Sequence, residues 1–183
     1  GVNWVQGPTT TGPEFNSLAW TAPADGAYLL TLVTSDIAGN KNAIPTSRHD
    51  SIATILVDTV KPAIQLANAV GVQVPGAGSE SSRRTFKPDD TVSISYTIQD
   101  MKLAENPVAV YFRNAPDAPW ELIKNGLASD SSVTYKLPDV NSRQCRVKVE
   151  AVDQCGNLGV IISEEDFTID NKVEETDIQL DLD

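Results

Sequence analysis

Between Thr91 and Gln99 the chain reads TVSISYTIQ, with Val92, Ile94, Tyr96 and Ile98 at every second position. Apolar side chains at that spacing share one side of an extended backbone, so the run predicts a strand with one dry face. The same period recurs at Val108, Val110 and Phe112, followed by Trp120, Leu122 and an expected turn at Asn125-Gly126. Val133, Tyr135 and Leu137 predict a further strand, as do residues 145–152, and a last strand falls within residues 161–169. Residues 63–66 bring the expectation to about seven short strands. Turn-rich stretches at 71–84 and 113–120 leave no room for a long helix. Pro107, Pro116, Pro119 and Pro138 are expected at strand ends, because proline has no N–H to give to a ladder. The chain is therefore expected to be all-β, with two sheets packed as an aligned sandwich.

An internal repeat organises these strands. GAYLLTLVTSDIAGN at 26–40 aligns with RQCRVKVEAVDQCGN at 143–157, 117 residues further on. Each is followed by a β-rich segment, ATILVDTVKP at 53–62 and EDFTIDNKVE at 165–174. Trp4 precedes Gly26 by 22 residues and Trp120 precedes Arg143 by 23, while PAIQL at 62–66 is echoed by DIQL at 177–180. Read as hairpins, the copies place Tyr28, Leu30, Leu32 and Thr34 toward a core in the first, and Cys145, Val147, Val149 and Ala151 in the second. Asp36 and Asp153 then open the turns and accept backbone N–H bonds, with Gly39 and Gly156 at positive φ. The echoes divide the chain into residues 1–61, the C-terminal half of a preceding unit; 62–171, one complete domain; and 172–183, a linker reaching the first strand of a following unit. Residues 1–61 would expose the inner side of their sheet. They are expected to be completed by sequence outside this chain, by a complementary chain or strand, or by strand exchange through the tail around Ile178–Leu182.

The first copy carries Gly26, Tyr28, Leu30, Leu32, Asp36, Ala38, Gly39 and Asn40, then Val57, Asp58, Thr59 and Pro62. This pattern resembles the immunoglobulin-like repeats of large bacterial surface and adhesin-type proteins, whose units end in such a hairpin and a strand closing V-D-T-x-x-P. The second copy departs from it, with Arg143, Cys145 and Cys155 at pattern positions and Ile169-Asp170-Asn171 without a following proline. The resemblance implies an immunoglobulin-like β-sandwich, one full domain with partial neighbouring units. It also implies a secreted or cell-surface location on a bacterium and a stalk that projects an adhesive or enzymatic head.

Charge narrows the partners. Lys and Arg number 14 against 25 Asp and Glu, a formal charge of −11. That balance repels nucleic acid and anionic lipid and suits cations. No run of 18 apolar residues exists to insert directly into a membrane, and the N-terminal residues lack the basic and apolar regions of a signal peptide, so an export signal would lie outside this sequence. No N-x-[ST] acceptor occurs. Cys145 and Cys155 flank one continuous strand that would hold their Cα atoms roughly 30 Å apart, too far for a disulfide. Cys145 shares parity with Val147 and Val149 and is expected to be a small core residue.

The chemistry is sparse. The single histidine, His49, stands beside Asp50 with Ser47 and Ser51 nearby, but adjacent loop residues do not make a catalytic triad, which is assembled by tertiary geometry. Acidic pairs at Asp89-Asp90, Glu164-Glu165-Asp166 and Glu174-Glu175 read as charged surface, and Asp177, Asp181 and Asp183 as the wet face of a strand. The chain is expected not to be an enzyme. Topology singles out three acids: Asp58 enters one pole of the complete domain, Asp100 follows the strand at 91–99, and Asp153 opens the last hairpin turn. Together they could offer oxygen ligands to Ca2+ and stiffen the junction between sandwiches, with Asp89 and Asp90 at the other pole. Trp4, Trp20 and Trp120 could stack on sugars, though the related repeat positions of Trp4 and Trp120 favour packing. The expected function is a non-catalytic spacer segment flanked by adjacent immunoglobulin-like domains and presenting a distal adhesive element. The alternative is a glycan- or protein-binding module, and a third reading is an accessory domain attached to an enzyme.

Overall fold

The computed structural model describes residues 4–10, 19–47, 52–75 and 84–172, and among them the secondary structure is all β. The chain divides between Thr59 and Val60 into two compact units. The first contains β1 (Gly26–Leu30) and β2 (Ala53–Val57). The second contains β3 (Ala63–Leu66), β4 (Thr85–Phe86), β5 (Thr91–Gln99), β6 (Leu103–Arg113), β7 (Glu121–Leu127), β8 (Ser131–Lys136), β9 (Ser142–Asp153), β10 (Leu158–Ile162) and β11 (Phe167–Ile169).

In the second unit, β3, β5 and β8 form an antiparallel sheet in that order. The other sheet runs β4-β11-β9-β6-β7, with β10 also paired to β9. It is mixed, because β4 and β11 are parallel. The alternation read from the sequence decides which faces are dry. Val92, Ile94, Tyr96 and Ile98 of β5 are buried, as are Val108, Val110 and Phe112 of β6 and Cys145, Val147, Val149 and Ala151 of β9. All belong to one hydrophobic cluster, to which β11 adds Phe167 and Ile169. Each large side chain buried there contributes roughly 1.5–3 kcal/mol relative to exposure. Cys145 is a core residue, and no disulfide joins it to exposed Cys155.

Several local expectations are corrected. Asn125-Gly126 is not a turn: both lie inside β7, where the four residues from Lys124 to Leu127 oppose the three from Val110 to Val108. Gly126 has φ 67°, so the pair forms a bulge and the chain reverses only after Leu127. Pro107 does not end a strand either. It sits within β6, where the register against β9 jumps between Leu103 and Val108 and Asn106 has φ 48°; an irregular ladder does not need the missing N–H. The strand expected within 161–169 is two strands, β10 and β11, which both pair with β9. Val72 falls in the turn-rich stretch at 71–84, yet it is 0% exposed and belongs to the core, as does Val70 just before that stretch at 3%.

The repeat survives as register. In β1 and β2, Tyr28 pairs with Ile55; in β9 and β11, the aligned Cys145 pairs with Phe167. A bridge joins Ser35 to Lys41, as Val152 joins Leu158 at the aligned positions. The copies then diverge. β1 stops at Leu30, Leu32 is 47% exposed and Thr34 is also exposed, so neither faces a core as expected. The Asn42 side chain takes over the ladder here: its Oδ1 accepts from the Thr34 N–H at 2.5 Å and its Nδ2 donates to the Leu32 carbonyl at 3.0 Å. No described residue between 4 and 59 is buried.

Candidate metal centre

Asp153 closes β9 and opens the turn to β10. Its Oδ1 accepts from the N–H groups of Cys155 and Asn157, both at 2.8 Å, and its Oδ2 accepts from the Asn157 amide at 2.6 Å. Its own N–H donates to the Asn157 carbonyl at 3.2 Å, and Gly156, at φ 88°, returns its N–H to the Asp153 carbonyl. The turn at 36–40 repeats this arrangement. There Asp36 accepts from the Asn40 N–H at 2.8 Å and the Asn40 amide at 2.7 Å, with Gly39 also at φ 88°. The Asp-x-x-Gly-Asn motif is thus one structural device used twice, because each aspartate satisfies donors that the reversal removes from the ladder.

Both carboxyls are held below their ordinary value. At Asp36 the leading cause is the Asn40 side chain, followed by the Asn40 backbone N–H. At Asp153 burial pushes upward, but donors from Asn157, Cys155 and Gly156 outweigh it. A depressed folded pKa contributes stability that is complete above the unfolded value and is lost as pH falls through the folded one. Asn40→Ala is therefore expected to raise the Asp36 titration midpoint toward 3.8, its ordinary value, as read by carboxyl carbon NMR. A midpoint unmoved by the substitution contradicts this account of the turn.

Two strand pairings bring further acids to the same end. Ala63 of β3 pairs with Gln99, the last residue of β5, so the segment leading from Asp58 into β3 arrives beside Asp100. Leu103, the first residue of β6, pairs with Asp153, so the short corner from Asp100 to Leu103 ends at the Asp153 turn. The corner is tied down: Asp100 Oδ1 accepts from the Lys102 N–H at 2.7 Å, and Gln154 donates its N–H to the Lys102 carbonyl at 2.8 Å. Asp58, Asp100 and Asp153 consequently each present a carboxylate oxygen, and these atoms lie within 4.8 Å of one another. Asp153 is buried and the other two are half-buried. Asp89 and Asp90 precede β5, at its other end, where Asp89 pairs with Lys136 at 2.8 Å.

Three carboxylates this close repel one another when ionised, and a cation relieves that repulsion. The donors are oxygens alone, a set suited to a hard divalent ion and unlike the nitrogen and sulfur sets that hold zinc. The three supply fewer than the six to eight oxygens calcium takes, so carbonyls or water would complete the shell. The hydrogen bonds to Asp100 and Asp153 fix their orientation and leave lone pairs for an ion.

The other candidates dissolve on inspection. His49, Asp50 and Ser51 lie outside the described residues, as do Glu174, Glu175, Asp177, Asp181, Asp183 and the tail around Ile178–Leu182. Glu165 meets Arg84 and Asp166 meets Arg146, each at 2.5 Å, so that acidic run is divided among cations. Trp4 is half-buried and donates its Nε1–H to the Pro45 carbonyl at 2.6 Å, while exposed Trp20 packs edge-on against Tyr28. Trp120 has the Arg113 guanidinium 4.5 Å from its ring centroid and Lys148 Nζ at 5.2 Å. Lys148 also lies 4.2 Å from the Tyr111 centroid and 2.6 Å from Glu150 Oε1. This cation–aromatic ladder was not anticipated from the sequence. Its only trace there is Tyr111, Arg113 and Lys148 at the outward positions of two strands with dry inner faces. Compared with family models, with curated proteins and with solved structures, the chain matches none.

Proposed function

We propose that this chain is a non-catalytic structural segment of an exported bacterial surface protein, built of immunoglobulin-like sandwiches in tandem that space or present a distal adhesive element. The observation that carries the reading is the Asp-x-x-Gly-Asn turn at 36–40 and 153–157, with the same hydrogen bonds and the same glycine φ in both units. A device repeated at matching positions of successive units supports a modular array better than it supports a single reactive site. The neighbours are then immunoglobulin-like domains of the same protein. The alternative of a glycan-binding module draws little support from Trp120, whose ring already carries Arg113.

Calcium is the cofactor of this reading, held by Asp58, Asp100 and Asp153. It would fasten the connecting segment at 58–62 to the end of β5 and to the last hairpin turn. Calorimetric titration is expected to give a dissociation constant on the order of 10⁻⁴–10⁻³ M, the range of extracellular calcium modules. The triple variant Asp58→Asn, Asp100→Asn, Asp153→Asn is expected to lose that binding, and heat unchanged from the parent rejects the site. The spacer role has its own test. Pulled from its ends in a force spectrometer, the chain is expected to show one discrete opening of the second unit, and smooth extension at low force would sink the spacer reading.

A further inference from the structure

Among its described residues, the first unit repeats part of a structure that the second unit holds with more strands. Because β1 aligns with the start of β9 and β2 with β11, the second unit indicates what belongs beside the first pair. There, β6 runs antiparallel along β9, with Phe112 opposite Val147, Val110 opposite Val149 and Val108 opposite Ala151. The aligned positions are Leu30, Leu32 and Thr34. They are the stretch where the ladder was expected to continue and where the chain instead leaves the strand, with Leu32 47% and Val33 42% exposed. Among the described residues, β1 pairs only with β2.

Physical chemistry makes this arrangement unfinished. A two-stranded sheet is at best marginally stable in water, and no described residue of its unit is buried. Large apolar side chains of the unit stand in solvent, among them Leu32, Ile37, Ile44, Ile52 and Ile55. In the second unit the residue matching Ile55 is Phe167, which is 1% exposed between Phe86 and Phe112. Among the described residues, the first unit has no strand in the places that β4 and β6 take in the second.

We propose that residues 29–34 form a docking edge for a β-strand from outside these 183 residues, which adds antiparallel to β1 and carries apolar residues at alternate positions, as Val108, Val110 and Phe112 do in β6. Such addition supplies backbone partners along the edge and covers Leu30 and Leu32. Charge favours a strand of a different chain or segment over a second copy of this chain and over its own tail. A second copy would bring another −11 to the interface. The tail of this chain alternates Ile178, Leu180 and Leu182 with Asp177, Asp181 and Asp183, and would bring acids to a unit already holding Asp25, Asp36 and Asp58. The incoming strand is therefore neutral or basic.

The probe is a blocked peptide with the sequence of residues 103–113, LAENPVAVYFR, which is itself neutral, added to the full chain. Hydrogen exchange read by mass spectrometry is expected to show residues 29–34 exchanging much faster than residues 146–151 in the protein alone. At ten times its dissociation constant the peptide is expected to slow residues 29–34 roughly tenfold. A peptide with Asp in place of the second valine of its V-A-V run is expected to leave them fast. Leu32→Asp in the protein is expected to abolish protection while the melting of the second unit stays unchanged. Four results overturn the proposal: slow exchange at 29–34 without peptide, no protection by the parent peptide, protection that tracks self-association, or protection lost when residues 173–183 are removed. The proposal rests on the tandem reading. A failure to protect alongside an intact single opening step under force would remove the docking edge and leave the spacer role standing.

Discussion

Phe167→Ala is expected to lower the unfolding free energy of the second unit by roughly 3–5 kcal/mol. Phe167 is 1% exposed and links the smallest strand to the longest ones. Its ring meets Phe86 of β4 edge-on at 5.8 Å and Phe112 of β6 at 6.1 Å, and Phe112 continues to Tyr135 of β8 at 5.5 Å. Truncation therefore removes the burial of one large ring and two ring contacts, and leaves a cavity that strands paired on both sides cannot close. Domains of this size are stable by about 5–15 kcal/mol, so the loss is a large share of the total. Urea titration is expected to show a lower midpoint with an unchanged slope. A change below about 1 kcal/mol would mean that Phe167 is not the hub the ring geometry describes. The first-unit counterpart offers a control: Ile55→Ala is expected to cost far less, because Ile55 is 37% exposed.

Gly71→Ala is expected to cost roughly 2–4 kcal/mol, adding left-handed backbone strain to overpacking. Gly71 has φ 78°, and a Cβ placed there would stand 2.3 Å from Val147 Cγ2 and 3.1 Å from Ser163 Cβ. Val147 is 0% exposed in the middle of the core and cannot move aside. Gly126→Ala separates the two effects. Its φ is 67° but a Cβ there meets nothing within 4 Å, so about 1 kcal/mol is expected from the backbone alone. The clash is also testable by rescue. The double variant Gly71→Ala, Val147→Ala is expected to be more stable than the sum of the single changes, by a coupling of about 1 kcal/mol or more in denaturation. Strict additivity would show that the Val147 methyl is not what excludes a side chain from position 71.

These experiments probe features of unequal legibility. The buried positions of β5, β6 and β9 follow from alternation alone, since a period of two puts every second side chain on one face. The acid cluster was legible for a different reason. Once the strand order is assumed, residues that end one strand, begin the next or open a hairpin must share an end of the sheet. Val70 and Val72 carried no such signal, because an irregular segment has no period and its burial depends on what folds over it. Asn125-Gly126 misled because positive φ serves a bulge as well as a reversal. The choice rests on whether flanking residues keep pairing across to β6. The ladder of Arg113, Trp120, Lys148 and Tyr111 joins residues from separate segments, and pairing of β6 with β9 sets them side by side.

The amino-acid sequence by itself determined the all-β character, the dry faces of the long strands, the core role of Cys145 and the recurrence of one turn device at Asp36 and Asp153. Those properties are local or periodic, and they hold for any strand of that pattern. Tertiary structure alone decided that Gly71 admits no side chain, and that Leu32 stands in solvent while its counterpart Val149 is buried. In each case the outcome depends on the neighbour a residue meets across the fold: a methyl group at Gly71, and at Val149 a paired strand that has no counterpart among the described residues of the first unit.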